Sequence, residues 1–576
     1  MSLASLPPGL ILILGAFVIP LLPTKVRKVW MLALPALGLA QLWMLPLGTT
    51  LTWETMGLEL ELIRVDRLSR IFGVVFHLAA FVSAIYALHV KDTVQQVASL
   101  AYAGSAIAAA FAGDLVTLFI WWELTAVTSV FLIWARRTER ARRAGTRYLI
   151  IQVASGVLLL AGAIVHYAQT GSIAFDHLGD GAGGVGGIGS MLMLVAFGIK
   201  AAFPLLHSWL EDAYPEATVT GTVWLSAFTT KLAIYALCRG FAGTEMLIPI
   251  GATMTAFPIF FAVIENDLRR VLAYSLNNQL GYMVVGIGIG TELALNGTAA
   301  HAFAHIMYKG LLFMSMGAVL YRTGTVNGSE LGGLYKSMPW TTVFCTIGAA
   351  SISAFPLFSG FVSKSMILTA AADGHYTVTF LILLFASAGV FHHSGIKIPY
   401  FAFFAHDSGK RPKEAPLNML VAMGIAAFMC VGLGIWYQPL YDLLPFQEVL
   451  HSDTWHGPYD MTHVVTQLQL LLFSAAAFVF LQKFGLYPPE LRSVNLDTDA
   501  IHRRWLPDTA NALWSTGSDL GRRLQNRAGA SLDDLLAGLR TLNSPNGGLL
   551  GTPWPSGQTA LWAAVLLALS LMLYYS

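Results

Sequence analysis

Charge is what this sequence has least of: Asp, Glu, Lys and Arg together make up 11% of its 576 residues, against about a quarter in a soluble domain. So few charges cannot clothe a globule in water. With apolar residues at 56% and a mean hydropathy of +0.63, the composition is that of a polytopic membrane protein. Cysteine is nearly absent too. Cys238, Cys345 and Cys430 lie far apart in apolar runs without a CxxC pair, so iron–sulfur ligation and disulfide chemistry lack local support. No glycine-rich dinucleotide fingerprint and no ligand-spaced metal cluster occurs, and the expectation is a chain with no cofactor and no metal of its own. A net charge of +2 offers no bulk attraction for nucleic acid. The opening MSLASLPPGLILILGAFVIPLLP lacks a basic leader and a small-residue cleavage site, and reads as a retained first span.

Apolar runs are abundant. A crossing helix needs about 20 mostly apolar residues, and about sixteen such runs are present. They fall near 6–23, 29–47, 68–89, 94–112, 115–135, 147–168, 188–210, 217–238, 246–264, 271–290, 297–320, 340–371, 378–405, 417–437, 463–482 and 558–575. The fold class is therefore all-α, because open sheet edges are not tolerated in lipid. Basic connections (TKVRK, RRTERARRAGTR, ENDLRR, the pair Arg322 and Lys336, HDSGKRPKE) alternate with acidic or glycine-rich ones (TWETMGLELEL, GSIAFDHLGDGAGGVGG, ADGHY). By the excess of Lys and Arg in cytoplasmic loops, the first set faces the cytoplasm and both termini the periplasm of a bacterial inner membrane. Residues 484–557 differ: leucines at mostly helical spacing among charges, broken into short pieces by Pro507 and several glycines, fit an amphipathic segment on the cytoplasmic face and equally a tethering linker to the last span.

Ionisable groups inside spans cost about 2.5–3.5 kcal/mol each on insertion scales, so each is a functional candidate. The candidates are Glu123 in FIWWELTAVTS, Lys200, Lys231, then His301, His305 and Lys309, then Lys364 and Lys397. Lysines near span ends can snorkel to the interface, which is the plainer reading for Lys364 and Lys397. Glu123, Lys200 and Lys231 sit too deep for that. His301, His305 and Lys309 recur every fourth residue and so share one helix face, as a proton relay would require. Asp66, Asp114, Glu211, Asp212, Glu265 and Asp267 lie at span ends, where structural roles are favoured. The tetrapeptide AFPL occurs at 202–205 and again at 354–357, each time near a lysine. Proline breaks a helix there, and paired broken helices point to inverted repeats with ion sites at the breaks.

The runs WWELTAVTS, GIKAAFPLLHSWLEDAYPEATVTGTVWLSAFTTKLAIYALCR, ENDLRRVLAYSLNNQLGYMVVGIGIG, HAFAHIMYKGLLF and FPLFSGFVSK resemble, in order, motifs of the antiporter-like membrane subunits. That family is shared by Mrp sodium/proton antiporters, respiratory complex I and membrane-bound hydrogenases. GIKIPYFAFF and the C-terminal WPSGQTALWAAVLLALSLMLYY are most similar to the D-type subunits of the Mrp antiporters. The resemblance implies a fourteen-helix core with two inverted five-helix repeats, plus a C-terminal extension. It suggests N-terminal spans over 1–90, repeats over 91–240 and 241–405, additional spans over 406–483, the amphipathic segment 484–557 and a final span 558–576. It further implies that Glu123, Lys200 and Lys231 are the family's helix-five, helix-seven and helix-eight groups, and that Lys364 takes the helix-twelve position.

The functional expectation is a proton-translocating subunit of a multisubunit Na+/H+ antiporter, with other membrane subunits as partners. Its proton path would run through Glu123, Lys200, Lys231, His301, His305, Lys309, Lys364 and Lys397. An antiporter-like subunit of a redox-driven complex and a non-conducting scaffold are the alternatives. Only one acid lies deep in a span, so an oxygen-rich sodium site within this chain is not expected.

Overall fold

The structure is a computed structural model, and it describes residues 6–55, 57–452, 455–491, 495, 497–544, 546, 551 and 555–575. Two compact units emerge, Met1–Asn495 and Leu496–Ser576.

In the larger unit, helices α1 (Leu10–Val18) and α2 (Thr24–Met44) precede an antiparallel hairpin of β1 (Thr50–Thr55) and β2 (Leu58–Arg64). Helices α3 (Arg67–Tyr86), α4 (Thr93–Ala110), α5 (Leu115–Trp134) and α6 (Glu139–Thr170) follow. Their starts are set by side chains that accept otherwise unpaired backbone N–H groups. Asp66 forms a capping box with Ser69, while Asp92, Asp114 and Thr138 cap α4, α5 and α6. Acids at these span ends thus have the structural role expected of them.

The next expected spans are broken. Helix α7 (Ile188–Ala201) stops at AFPL and resumes as α8 (Ser208–Glu216); α9 (Gly221–Ala227) and α10 (Thr229–Gly240) are separated at Phe228. Continuous helices α11 (Leu247–Ile264), α12 (Leu268–Ile289) and α13 (Glu292–Thr323) come next. Then α14 (Pro339–Ile352) stops at the second AFPL and α15 (Ser359–Asp373) continues it. Helix α16 (Thr377–Val390) runs into π-helical turns at Phe391–Ile396 and Tyr400–Phe404, with the short α17 (Lys397–Pro399) between them. Helices α18 (Leu417–Ile435), α19 (Gln438–Tyr441) and α20 (Met461–Lys483) complete the unit. Each span expected in this part of the chain coincides with a helix or a broken pair.

The two AFPL segments are structural copies as well as sequence copies. Ala202 and Leu205 have φ of 62° and 70°; Ala354 and Leu357 have 55° and 73°. Left-handed backbone at non-glycine residues costs about 1–2 kcal/mol each, so its double appearance marks an imposed geometry. Isolated bridges add to the likeness: Asp114 pairs with Ala174 and Asp267 with Asn327, at identical sequence spacing. In each half the bridging aspartate also caps the following helix, α5 or α12.

The smaller unit holds α21 (Leu506–Leu542) and α22 (Ser556–Tyr575). Here one expectation fails: α21 is a single 37-residue helix, not several short pieces. Pro507 lies in its first turn, where no N–H is needed and a fixed φ favours helix. The glycines weaken the helix without ending it. Among the described residues nine helices, α22 included, are long and apolar enough to cross a membrane.

Candidate functional site

Lys200 occupies the last turn of α7 and is fully buried. Its ammonium donates to Trp122 O at 2.7 Å and Thr125 Oγ1 at 2.8 Å, both on α5, and lies 4.2 Å from the Trp122 ring centroid. Glu123 falls between those two partners in sequence but on another face. It is only half-buried, and forms no ion pair with Lys200. The two charges act on each other through space. Glu123 packs on Gly156 of α6, so closely that a Cβ built there would lie 1.5 Å from Oε1.

A line of hydroxyls leads from this pair toward Lys231. One turn beyond Thr125, Ser129 shares a hydrogen bond with Tyr148 at 2.8 Å; Tyr148 lies 3.5 Å from Thr229 Oγ1, and Tyr102 lies 2.5 Å from the same atom. Thr229 opens α10, two residues before Lys231. The Lys231 ammonium donates to Ser226 O at 2.6 Å, a carbonyl released by the α9–α10 break, and to Thr230 Oγ1 at 3.2 Å.

His301, His305 and Lys309 all lie buried on α13. His301 Nδ1 is 3.0 Å from Ser363 Oγ, and its Nε2 is 3.3 Å from Tyr308 Oη, which donates to Gln279 at 3.1 Å. His305 has no side-chain hydrogen bond within the described protein. Lys309 donates to Ser275 Oγ at 2.8 Å and to Leu272 O at 3.3 Å. Lys364 donates to Ile352 O at 3.0 Å, the carbonyl at the end of broken α14. It also lines a cavity of about 230 Å³ that extends past Thr369 and His463 to Asp373. Lys397 is wholly buried and does not snorkel; it donates to Val263 O at 2.6 Å and Glu265 O at 2.7 Å.

Lys200 and Lys309 rest on mid-helix carbonyls of α5 and α12 together with neighbouring hydroxyls. Lys231, Lys364 and Lys397 rest on backbone carbonyls where helices end or break. Such carbonyls carry the negative end of the helix dipole and suit a cation. Sequence reading found the lysines but missed Ser275 and Glu490, which contact Lys309 and Lys397, and the nearby Ser394, His393, Tyr148 and Thr229. The hydroxyls are too common to single out.

Broken helices around a buried axis of lysines and histidines define a multi-pass membrane protein with a polar interior. The chain belongs to the family described as NADH:quinone oxidoreductase/Mrp antiporter, TM, whose model matches residues 112–432. It is 33% identical over 310 residues to the D subunit of the Na(+)/H(+) antiporter of Alkalihalophilus pseudofirmus, covering 51% of this chain and 62% of that protein. The chain thus spans less than two thirds of that relative. Among solved structures, that of the Mrp complex from Dietzia sp. matches 88% of this chain and 59% of its counterpart, with a TM-score of 0.75 at 24% identity. The membrane-bound sulfane sulfur reductase, an archaeal respiratory membrane complex, matches 98% of this chain and 100% of its counterpart, with a TM-score of 0.70 at 23% identity.

Proposed function

We propose that this chain is the proton-translocating, D-type component of a multisubunit monovalent-cation/proton antiporter, working beside other membrane subunits. One observation carries the reading: Lys200, Lys231, Lys309 and Lys364 are buried on cradles of carbonyls and hydroxyls with almost no carboxylates. Carbonyl dipoles hold an ammonium less tightly than a carboxylate does, so a proton can be passed on. Glu123 acts on Lys200 from beyond contact. A pair of opposite charges ~6 Å apart at an effective dielectric near 20 attracts by about 3 kcal/mol, the order of support such a carboxylate gives a lysine proton. Neutralising Glu123 frees that proton toward Lys231 by way of Thr125, Ser129, Tyr148 and Thr229. Water, His305 and His301 carry it to Lys364 and the cavity beyond. The same energy acts in reverse, so a cation gradient can drive protons or be driven by them.

In this reading both termini face the periplasm of a bacterial inner membrane, the basic loops face the cytoplasm, and α21 lies along the cytoplasmic surface. The cation passes through a neighbouring subunit. In everted vesicles holding the full assembly, Glu123→Ala and Lys200→Ala each abolish cation-coupled proton movement; full activity in either removes the mechanism. A second reading, a proton-pumping subunit of a redox-driven complex, has support from a fold likeness that extends through the C-terminal unit. Intact-complex mass spectrometry separates the two: small membrane subunits alone favour the antiporter, iron–sulfur or hydrogenase chains the redox machine.

A further inference from the structure

Beyond α20 the chain brings an acid back into the core. Tyr487 stacks on His392 with centroids 5.4 Å apart, and Phe478 and Phe401 complete its pocket. Three residues later the Glu490 carboxylate comes within 3.0 Å of Lys397 Nζ, the two side chains being 5% and 0% exposed. Among the described residues, no other lysine of the path has a carboxylate at ion-pair distance. The second acid nearby, Glu265, is otherwise engaged. Its carboxylate accepts from the N–H groups of Asn266 and Asp267 at 2.9 and 3.0 Å and from the Asn495 amide at 3.2 Å. Arg270, His392, His393 and the Tyr487 phenol are further charged or titratable neighbours among the described residues. Burial pushes the Glu490 carboxyl above its ordinary range, against the opposing pull of Lys397.

The pair also connects inward. His393, one turn before Lys397, lies 2.9 Å from Ser394 Oγ; that hydroxyl donates to Ser275 Oγ at 2.7 Å, and Ser275 accepts from Lys309 at 2.8 Å. The α-helix is wound as π at this point, a distortion common at functional positions. Lys397 lies about 25 Å along its helix from Phe380, which lines the Lys364 cavity.

We propose that Glu490 is a proton-exchange residue for Lys397, forming a second mouth of the path that reaches Lys309 through His393, Ser394 and Ser275. The step is a proton transfer: the carboxylic O–H bond of Glu490 breaks as an N–H bond forms on the neutral Lys397 amine, leaving the observed ion pair. The proposal rests on the proton-path reading above.

The test uses the full assembly in everted vesicles. Glu490→Gln slows cation-coupled proton movement by about tenfold or more, as loss of an acid–base group does, and Glu490→Asp restores part of it. A water-soluble carbodiimide, read by mass spectrometry, supplies a measure independent of transport because it modifies the protonated carboxyl. Its labelling of Glu490 rises as pH falls, and Lys397→Met moves that rise to higher pH. Wild-type transport in Glu490→Gln, transport regained in the Lys397→Met/Glu490→Gln double variant, or labelling indifferent to Lys397 would each overturn the proposal. If Glu490→Gln does not assemble, the labelling series decides. Full transport in Glu123→Ala defeats the wider reading while leaving the labelling result standing, so the two failures are distinguishable.

Discussion

Gly156→Ala moves Glu123 without altering any ionisable group. A methyl at Gly156 would sit 1.5 Å from Oε1, 2.4 Å from Cδ and 3.0 Å from Cγ of Glu123. Carbon and oxygen at rest need about 3.5 Å, so the carboxylate must retreat by about 2 Å. The obstructing atoms are the tip of a flexible side chain, and the off-rotamer cost is about 0.5–1.5 kcal/mol. Alanine in mid-helix returns about 0.5–1 kcal/mol relative to glycine, so the two effects nearly cancel. Thermal stability of the assembly should therefore change little. Coupling to Lys200 should not escape: a 2 Å change in a charge separation of ~6–8 Å at an effective dielectric near 20 alters it by about 0.7 kcal/mol, or roughly a factor of three. The assay is cation-dependent collapse of a pH gradient in everted vesicles, normalised to assembled complex. A response altered about threefold, and further in Gly156→Val, is the expected result. Unchanged transport in a fully assembled Gly156→Val protein would refute the claim that the position of Glu123 controls its lysine.

Two further outcomes follow from the fold. Burial disfavours the Asp66 carboxylate, but Arg239, 2.5 Å away, and the Ser69 donors outweigh it and hold the group below its ordinary range. Its contribution is present above the unfolded value and lost as pH falls through the folded one. Asp66→Ala should thus cost about 1–2 kcal/mol near neutrality, and its deficit in thermal midpoint should close below about pH 4. Asp373 borders the Lys364 cavity. A cysteine there should react with a membrane-impermeant maleimide in right-side-out vesicles and block transport; reaction only in everted vesicles would reverse the assigned orientation.

Much of this was legible beforehand, because lipid imposes a simple grammar. Long apolar runs gave the helices, and a charge inside one gave Lys200, Lys231 and the α13 series. AFPL announced both left-handed breaks. The break at Phe228 had no proline or glycine to betray it, so the carbonyl under Lys231 was invisible. Pro507 was misjudged because the same residue that interrupts a helix interior is welcome in its first turn. Glu123 was placed deep in its span, but a one-dimensional pattern gives depth and not which side of a helix faces its neighbours, so its half-buried position away from the Lys200 contact could not be read. Glu490 escaped because its partner lies far away in sequence, and an acid outside a span attracts no notice.

Lysines gathered without matching anions also limit how many can be charged together. Lys309 lies within electrostatic reach of both Lys231 and Lys364, and two like charges ~10 Å apart at a dielectric near 20 repel by about 1.7 kcal/mol. Double occupancy is thereby suppressed roughly twentyfold. On the proton path proposed above, the interior would then work as a turnstile: a newcomer must wait for, or expel, the proton ahead of it, so passage is counted one at a time without any moving door.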